Sequence, residues 1–441
     1  MTKVPKRPHG DSAIRVGLVA QNNFKGGAGI AVSSLHSHIR RVGAESGLES
    51  HLRVIESGPE ASSFQAGLPP RGATRRFIKS SRISARRAIE KYVLAQPGQL
   101  RSRATIRTGL GKEINGWDVD VINLHWLGDA TLSLREIAQV KHPVVFTLHD
   151  LWPGLGTLHY PEHSGGAQMN SGDVRWPWLE THFEKKKKAL WSDRFFAIAP
   201  SKSVADRAKL SGVMKNWPIW VVPNAIDTEF WAPGNQAEAR KNLGLGREDF
   251  VVVFPVGSSA GEYRKGADLW EGSLSHLVTP RERGRRITCL RISQEETVVT
   301  YSWGMERQMT PLSQEQLRTV YQAADIVAVP SRQETFSLVA LEAQACGTPV
   351  IAFDTMGLSD AIVHDQTGFL VPPFDTKQFA ERMMEVAAEP QRLNTMARNA
   401  RDRAVTDFAP ARVIAQTAEV FREVCELFSQ RQAENPSEEF A

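Results

Sequence analysis

Short apolar runs, each followed by an amphipathic stretch, recur along the chain. "IRVGLVAQ" opens the series, the loop "NNFKGGAG" follows, and "IAVSSLHSHIRRVG" then repeats its apolar positions at helical spacing until Gly43. "VDVINLHW", "PVVFTLHD", "RFFAIAPS" and "WPIWVVPNAI" resume the apolar run, rich in β-branched residues, and predict further strands. With helical stretches between them and no tight hairpin turns in view, these strands are expected to lie parallel and to be joined by crossovers. "FWAPGNQAEARKNLGLGRED" breaks the pattern with Pro, Gly and charges, and reads as a linker with a short helix. A second series follows in "FVVVFPVG", "ITCLRIS", "TVVTYSWG", "ADIVAVPS" and "PVIAF". The pattern predicts an α/β protein in two doubly wound halves, 13–222 and 223–405, after a disordered start at 1–12. A helix over 406–430, containing the amphipathic "PARVIAQTAEVFREVCELFSQ", and a disordered tail at 431–441 complete it.

A length of 441 residues suits two such domains. No window approaches the roughly 18 uninterrupted apolar residues of a spanning helix. The basic start "MTKVPKRPHG" leads into a strand pattern rather than a secretory apolar core. Cys289, Cys346 and Cys425 are scattered, with no metal-ligand or redox spacing, so a cytoplasmic location with free thiols is expected. Charge changes the picture more. The net +5 is concentrated in a basic insertion near 71–112, where about a dozen Lys and Arg face one interior acid, Glu90. Phe77, Ile78, Ile83, Ile89 and Val93 recur loosely at helical spacing there. Three readings stand: a basic amphipathic helix on an anionic membrane surface, a solvated insertion, and a nucleic-acid contact. No nucleic-acid-binding module accompanies the charge, and no nucleic-acid partner is expected.

Candidate chemistry is densest after "ADIVAVPS". "FSLVALEAQACG" reads as a helix stopped at Gly347, with Pro349 just beyond. Glu334 precedes that helix and Glu342 lies within it, while the N–H groups of Phe336, Ser337 and Leu338 would form a helix N-terminus, a natural phosphate site. A ligand matching all three features carries hydroxyls at both ends and phosphate between, because carboxylates accept from hydroxyls and repel phosphate. A nucleoside diphosphate sugar has that layout. Taken alone, the two glutamates also read as an ordinary N-terminal helix acid and a solvated side chain. "KGGAG" lacks the spacing of a dinucleotide fingerprint, so Gly26 and Gly27 read as close backbone approach to a ligand or as a plain turn. His125 and His149 each close a predicted strand, at the edge where open parallel sheets bind ligands, with a structural histidine as the alternative at both. Trp152 in "HDLWPG" is a candidate for stacking on an acceptor sugar, whereas most other tryptophans are expected in the core. His149, Asp150, His159 and His163 are metal-ligand types, but their spacing fits no zinc pattern, and no metal or cofactor is expected.

The whole stretch "PSRQETFSLVALEAQACGTPVIAF…DQTGFLVPP" resembles the donor-site signature of glycosyltransferase family 4, the group 1 glycosyltransferases. Members of that family have the GT-B fold, two Rossmann-like domains facing a central cleft. "VVPNAIDTEFWAP" is similar to the family's interdomain passage, "YQAADIVAVPS" to its pre-site strand, and "GGAGIAVSSLHSHIRRVG" to its first loop and helix. The resemblance covers most of 13–425, interrupted by the basic segment. It implies that 13–222 binds the acceptor, that 223–405 binds the nucleotide sugar, and that the 406–430 helix crosses back to the first domain. It further implies that Glu334 touches the transferred sugar, Glu342 the ribose, and Lys265 with Arg264 the donor diphosphate, and that Thr335, Phe336, Ser337 and Leu338 line the donor site. His149 becomes the cleft histidine near the transferred sugar, Gly26 and Gly27 face the cleft, and His125 is a poorer match on the acceptor side. One departure stands out: Ser258 follows Gly257, where much of the family has arginine.

The expected function is a retaining, metal-independent transfer of a hexose-type sugar from a nucleoside diphosphate sugar to a carbohydrate or lipid-linked hydroxyl acceptor. Such a reaction belongs in cell-surface polysaccharide or glycolipid assembly, with the protein in the cytoplasm or peripheral on the inner face of the plasma membrane. An epimerase or phosphorylase on the same fold is one alternative, and a non-enzymatic basic binding protein is another. Recognition of the base is expected from the loop around "YSWGMERQ".

Overall fold

Two separate sheets collect the two series of apolar runs in the computed structural model, which describes residues 13–22, 26–56, 100–128, 131–160, 177–191, 194–255, 262–278 and 285–434. The start 1–12, the 71–99 part of the basic segment, His163, Gly257, Ser258 and the last residues 435–441 lie outside the described residues. The first sheet contains β1 (Ile14–Asn22), β2 (Leu48–Glu56), β3 (Val121–Leu124), β4 (Val144–Thr147), β5 (Phe196–Ala199) and β6 (Ile219–Val221). Their order is β2-β1-β3-β4-β5-β6, with every pair parallel. The second contains β7 (Phe250–Pro255), β8 (Ile287–Ile292), β9 (Thr297–Tyr301), β10 (Gly304–Met309), β11 (Ile326–Val329), β12 (Val350–Phe353) and β13 (Gly368–Val371). Here the order is β13-β12-β11-β7-β8-β10-β9, parallel except for β9 against β10.

Parallel sheets covered by helices on both faces bury both sets of side chains, which is why these strands read as continuous apolar runs rather than alternations. Along β7, Val251 and Val253 enter one core while Phe250, Val252 and Phe254 enter the other. β4 divides in the same way, with Val144 and Phe146 on one side and Val145 on the other. The final helix, Pro410–Glu434, returns to the first sheet. Its Ile414, Ala418, Phe421 and Cys425 share one face and pack with Val16, Leu18, Val121 and Phe196. Arg422 donates to the Ser46 carbonyl, and Trp220 Nε1 donates to Glu423 at 2.9 Å.

The apolar pattern does not announce β2, β10 or β13. β2 sits at a sheet edge and exposes Glu49 and His51, so its run is broken by polar residues. β13 is only four residues long, too short for a periodic signal. β9 and β10 form a tight antiparallel hairpin, contrary to the expected absence of such turns, and β9 is exposed along its length. The hairpin also corrects the expected site of base recognition. β10 runs parallel to β8 with Gly304 beside Ile287, so the turn at Ser302 and Trp303 lies at the amino edge of the sheet, opposite the edge that carries Lys265 and Glu334. Among the described residues no helix is long and apolar enough to cross a membrane.

Candidate functional site

Each sheet winds outward in both directions from its first strand, which puts a switch point between β1 and β3 in one and between β7 and β11 in the other. Ligands of open α/β sheets bind beyond the carboxyl ends of the strands at such points. Beyond β7 and β11 stands a cluster of charge. The short helix Glu262–Lys265 ends at Gly266, which takes φ +75°, and a Cβ there would lie 1.9 Å from the Pro330 carbonyl oxygen. Only glycine lets this turn press against the end of β11. The loop after β11 is stitched to it: Arg332 N donates to the Arg264 carbonyl at 2.9 Å, and Arg264 Nη1 donates to the Gln333 carbonyl at 2.9 Å.

The stitching brings three charges together. Lys265 Nζ contacts Glu334 Oε1, Arg264 Nη1 lies 3.7 Å from Glu334 Oε2, and Ser331 Oγ donates to Glu334 Oε1 at 3.1 Å. The Glu334 side chain is 8% exposed, whereas Lys265 and Arg264 keep 31% and 27%, so the cations are the accessible members. Burial works to raise the Glu334 carboxyl, yet Lys265 and Arg264 outweigh it and hold its pKa below the ordinary 4.5. Burial lowers the Lys265 ammonium, with Glu334 opposing.

Glu342 lies in the helix Leu338–Ala345 and accepts from Tyr321 Oη at 3.2 Å. Burial pushes its carboxyl up to about 8, although Tyr321 and Lys265 pull it down. At neutral pH it is therefore protonated, able to donate to a hydroxyl as well as to accept from one. Below its ordinary 4.5 the group holds its proton whether the chain is folded or not; between 4.5 and about 8 only the folded chain holds it, so stability falls as pH rises through that window. Glu342→Gln is expected to flatten the decline of melting temperature between pH 5 and 8. Parallel curves for the two proteins would show that the carboxyl titrates normally.

The helix begins later than the pattern suggests. Ser337 caps it, accepting from Ala340 N at 3.4 Å, with φ at +65°, a left-handed conformation strained for any residue but glycine. Of the expected helix N–H donors Phe336, Ser337 and Leu338, only Phe336 is corrected: Ser337 caps the helix, and Leu338 heads it with Val339, where an α-helix leaves its first donors without an intrahelical acceptor. Phe336 is a core residue, 2% exposed, packed edge-on against Phe408. Thr335 is half-buried in the preceding loop. That loop is braced by Gly357, whose N–H donates to the Glu334 carbonyl at 2.9 Å and whose missing Cβ would lie 1.8 Å from the Thr335 carbonyl oxygen.

In the first lobe His125 and His149 leave neighbouring strands at the same edge, His125 Nδ1 meeting His149 Nε2 at 2.8 Å. Burial lowers both rings, His149 to about 4 with Asp150 opposing and His125 well below 6.5, so both are neutral at pH 7. His125 is buried behind His149 rather than offered to an acceptor, which corrects its expected role. Both line a cavity of about 40 Å³, room for a water or two and far below the roughly 300 Å³ at which small-molecule pockets begin. Trp152 is a second correction. It is buried, donates from Nε1 to the Ser102 carbonyl at 2.8 Å, and has Lys187 Nζ 3.8 Å above its ring, so no face remains for a sugar. Gly26 takes φ +71° at the start of helix Gly26–Val42, just past β1, and among the described residues no atom outside its own helix and chain neighbours lies within 4 Å of a Cβ built on it or on Gly27.

Two residues without a sequence signal connect the lobes. Tyr160 Oη donates to the His149 carbonyl at 3.4 Å, and its ring lies 5.0 Å from the Arg264 guanidinium. Burial raises its phenol to about 12, with Arg264 opposing. Asp360, near the donor-side loop, accepts from Lys202 N at 3.2 Å and Ser203 N at 3.1 Å, neutralising the N-terminus of the first-lobe helix Lys202–Lys209. Neither stands in a periodic or motif context, so only the fold reveals them. Among the described residues no group of three His, Cys, Asp or Glu is placed to hold a metal; His159 pairs with Asp150 at 2.5 Å instead.

Comparison with known proteins finds the family described as "Glycosyl transferases group 1" over residues 308–403 and "Glycosyltransferase Family 4" over 61–230. A D-inositol 3-phosphate glycosyltransferase of Saccharomonospora viridis is 33% identical over 219 residues, covering 47% of this chain and 50% of its own. The chain thus spans about half the length of the curated relatives it matches. Among solved structures, sucrose-phosphate synthase of Thermosynechococcus elongatus superposes with a TM-score of 0.61 at 20% identity, over 94% of this chain and 100% of that one. Anabaena HepE in complex with UDP-glucose gives 0.62 at 16%, over 93% and 100%. At these identities the likeness to the solved structures is one of fold.

Proposed function

The chain belongs to the group 1 glycosyltransferases of the two-lobed GT-B fold, and from that premise we propose that it moves a sugar from a nucleoside diphosphate sugar to a hydroxyl acceptor with retention at the anomeric carbon. The observation that carries this reading is the cluster at the β7/β11 switch point, where Lys265 and Arg264 converge on Glu334 beside the start of the helix that carries Glu342. As the bond from sugar to phosphate lengthens, negative charge grows on the departing diphosphate and positive charge on the ring. Lys265, Arg264 and the amides of Leu338 and Val339 stabilise the first, in a site organised before the donor arrives because Glu334 holds both cations in place. The ionised Glu334 accepts from sugar hydroxyls and favours the positive ring; Glu342 holds the ribose. The acceptor approaches from the first lobe, on the face the diphosphate leaves, and the diphosphate takes its proton. Two fixed side-chain cations supply the charge that a metal would bring. Closure of the lobes expels water and limits hydrolysis of the donor.

The acceptor class in this proposal is a carbohydrate or lipid-linked glycan, as in cell-surface polysaccharide or glycolipid assembly, with the basic segment against an anionic membrane. The curated relatives are named for D-inositol 3-phosphate, which makes a polyol phosphate the first acceptor to supply. Incubation with UDP-, GDP- and ADP-sugars, with and without chelator, tests the reading. One nucleotide series is expected to raise the melting temperature and to be hydrolysed slowly without acceptor, unaffected by chelator, with transfer dominating once an acceptor is added. An epimerised sugar nucleotide would make the protein an epimerase, and a sugar 1-phosphate formed only with inorganic phosphate would make it a phosphorylase.

A further inference from the structure

Behind His149 lies a chain of hydrogen bonds whose polarity has one solution. Asn123 and His125 stand two apart at the end of β3 and just beyond it, and the neighbouring strand β4 brings Thr147 at its end and His149 two residues past it alongside them. Asn123, fully buried, directs Nδ2 at the Val145 carbonyl at 3.0 Å and at Thr147 Oγ1 at 2.9 Å. A carbonyl oxygen only accepts, so the amide cannot be turned round, and its Oδ1 is the atom 2.8 Å from His125 Nε2. Oδ1 also only accepts, so His125 Nε2 carries the proton. The ring of His125 is buried and neutral, which leaves Nδ1 bare and makes it the acceptor for His149 Nε2 at 2.8 Å. His149 Nε2 therefore donates, and Nδ1 of this half-buried ring is the nitrogen left for a ligand.

We propose that Asn123 and His125 are positioning residues that hold His149 as its Nε2–H tautomer, so that Nδ1 accepts a hydrogen bond from a substrate hydroxyl. A bare ring nitrogen welcomes a hydroxyl and turns away phosphate or carboxylate, which gives the first lobe a filter for the sugar end of its ligands. The hydroxyl partner rests on the transferase reading; the tautomer does not. Thr147 Oγ1 lies 2.9 Å from Asn123 Nδ2 and 3.2 Å from Oδ1, and a hydroxyl can donate or accept, so the Val145 carbonyl is the contact that fixes the amide's orientation.

Proton-detected nitrogen NMR of protein labelled in its histidine rings decides the tautomer at pH 7 without substrate, the signals of His149 being assigned with His149→Gln. Protonated Nε2 and bare Nδ1 are expected for both His125 and His149. A proton on His149 Nδ1, or averaging between tautomers, would overturn the relay whether or not the protein transfers sugar. Adding the nucleotide sugar and acceptor identified above is expected to move the His149 Nδ1 resonance toward the hydrogen-bonded range; an unmoved resonance in the full complex removes the hydroxyl partner. Asn123→Leu takes away the acceptor that orients His125 and is expected to mix the His149 tautomers and lower kcat/KM by about 10- to 100-fold, by analogy with the loss of the partner that orients a metal-ligating histidine. In a His149→Gln background the same substitution is expected to cost less than about threefold, because a glutamine amide rotates freely to present either group. An undiminished loss there would assign Asn123 a merely structural role.

Discussion

Lys265→Ala is expected to lower kcat/KM for the sugar nucleotide by about 10²- to 10³-fold, roughly 3–4 kcal/mol of transition-state stabilisation, chiefly through kcat. The charge on the departing diphosphate is greater in the transition state than in the bound donor, so an ammonium aimed at it acts mainly on the chemical step. The folded protein is expected to suffer less. Glu334 keeps Arg264 at 3.7 Å and the Ser331 hydroxyl at 3.1 Å, so its buried carboxylate is not left without partners. Lys265→Arg retains the charge but not the compact ammonium, and should recover part of the rate. Steady-state kinetics with and without acceptor, beside melting curves, separate the two effects. A kcat/KM within about threefold of the parent would place the diphosphate away from Lys265.

Gly357→Ala is expected to destabilise the protein by about 2–3 kcal/mol and to cost at least roughly 100-fold in kcat/KM. The added Cβ would stand 1.8 Å from the Thr335 carbonyl oxygen and 2.8 Å from Phe336 N, and both of those are backbone atoms that cannot swing aside. Relief requires moving either the loop that presents Glu334 or the short helix Leu358–Ala361, whose Asp360 caps the first-lobe helix Lys202–Lys209. Either shift disturbs the donor site or the contact between lobes. Gly27→Ala is the comparison: with no atom of the other described residues within 4 Å of the new methyl, stability should stay within about 0.5 kcal/mol. Denaturant midpoints and kcat/KM check both variants, and a Gly357→Ala protein of parental stability would mean that the loop is looser than its packing indicates.

Much of the fold was legible in the apolar pattern, because strands buried on both faces advertise themselves as unbroken runs: β1, β3, β4, β5, β7, β8, β11 and β12 all lie inside such runs. β2 escaped notice because an edge strand needs only one buried face, and β10 because Glu306 interrupts it. That acid is buried and accepts from Trp270 Nε1 at 2.9 Å, a partner distant in sequence. Trp152 was misread for a related reason. A tryptophan beside a candidate histidine looks available for stacking, but the helix Pro177–Trp191 brings Lys187 and Trp191 over its ring.

The linear order of residues determined the two series of parallel strands, and it placed Glu334 and Glu342 in one loop-and-helix unit, because those properties depend on neighbours a few positions away. Tertiary structure alone decided which carboxyl is held below its ordinary pKa and which is pushed above it, since the former meets a lysine 69 residues distant while the latter is half-buried against a tyrosine hydroxyl. It alone turned two strand-end histidines into a relay. Burial and Coulomb interaction depend on distance through space, and the chain order leaves that distance open until the lobes are packed.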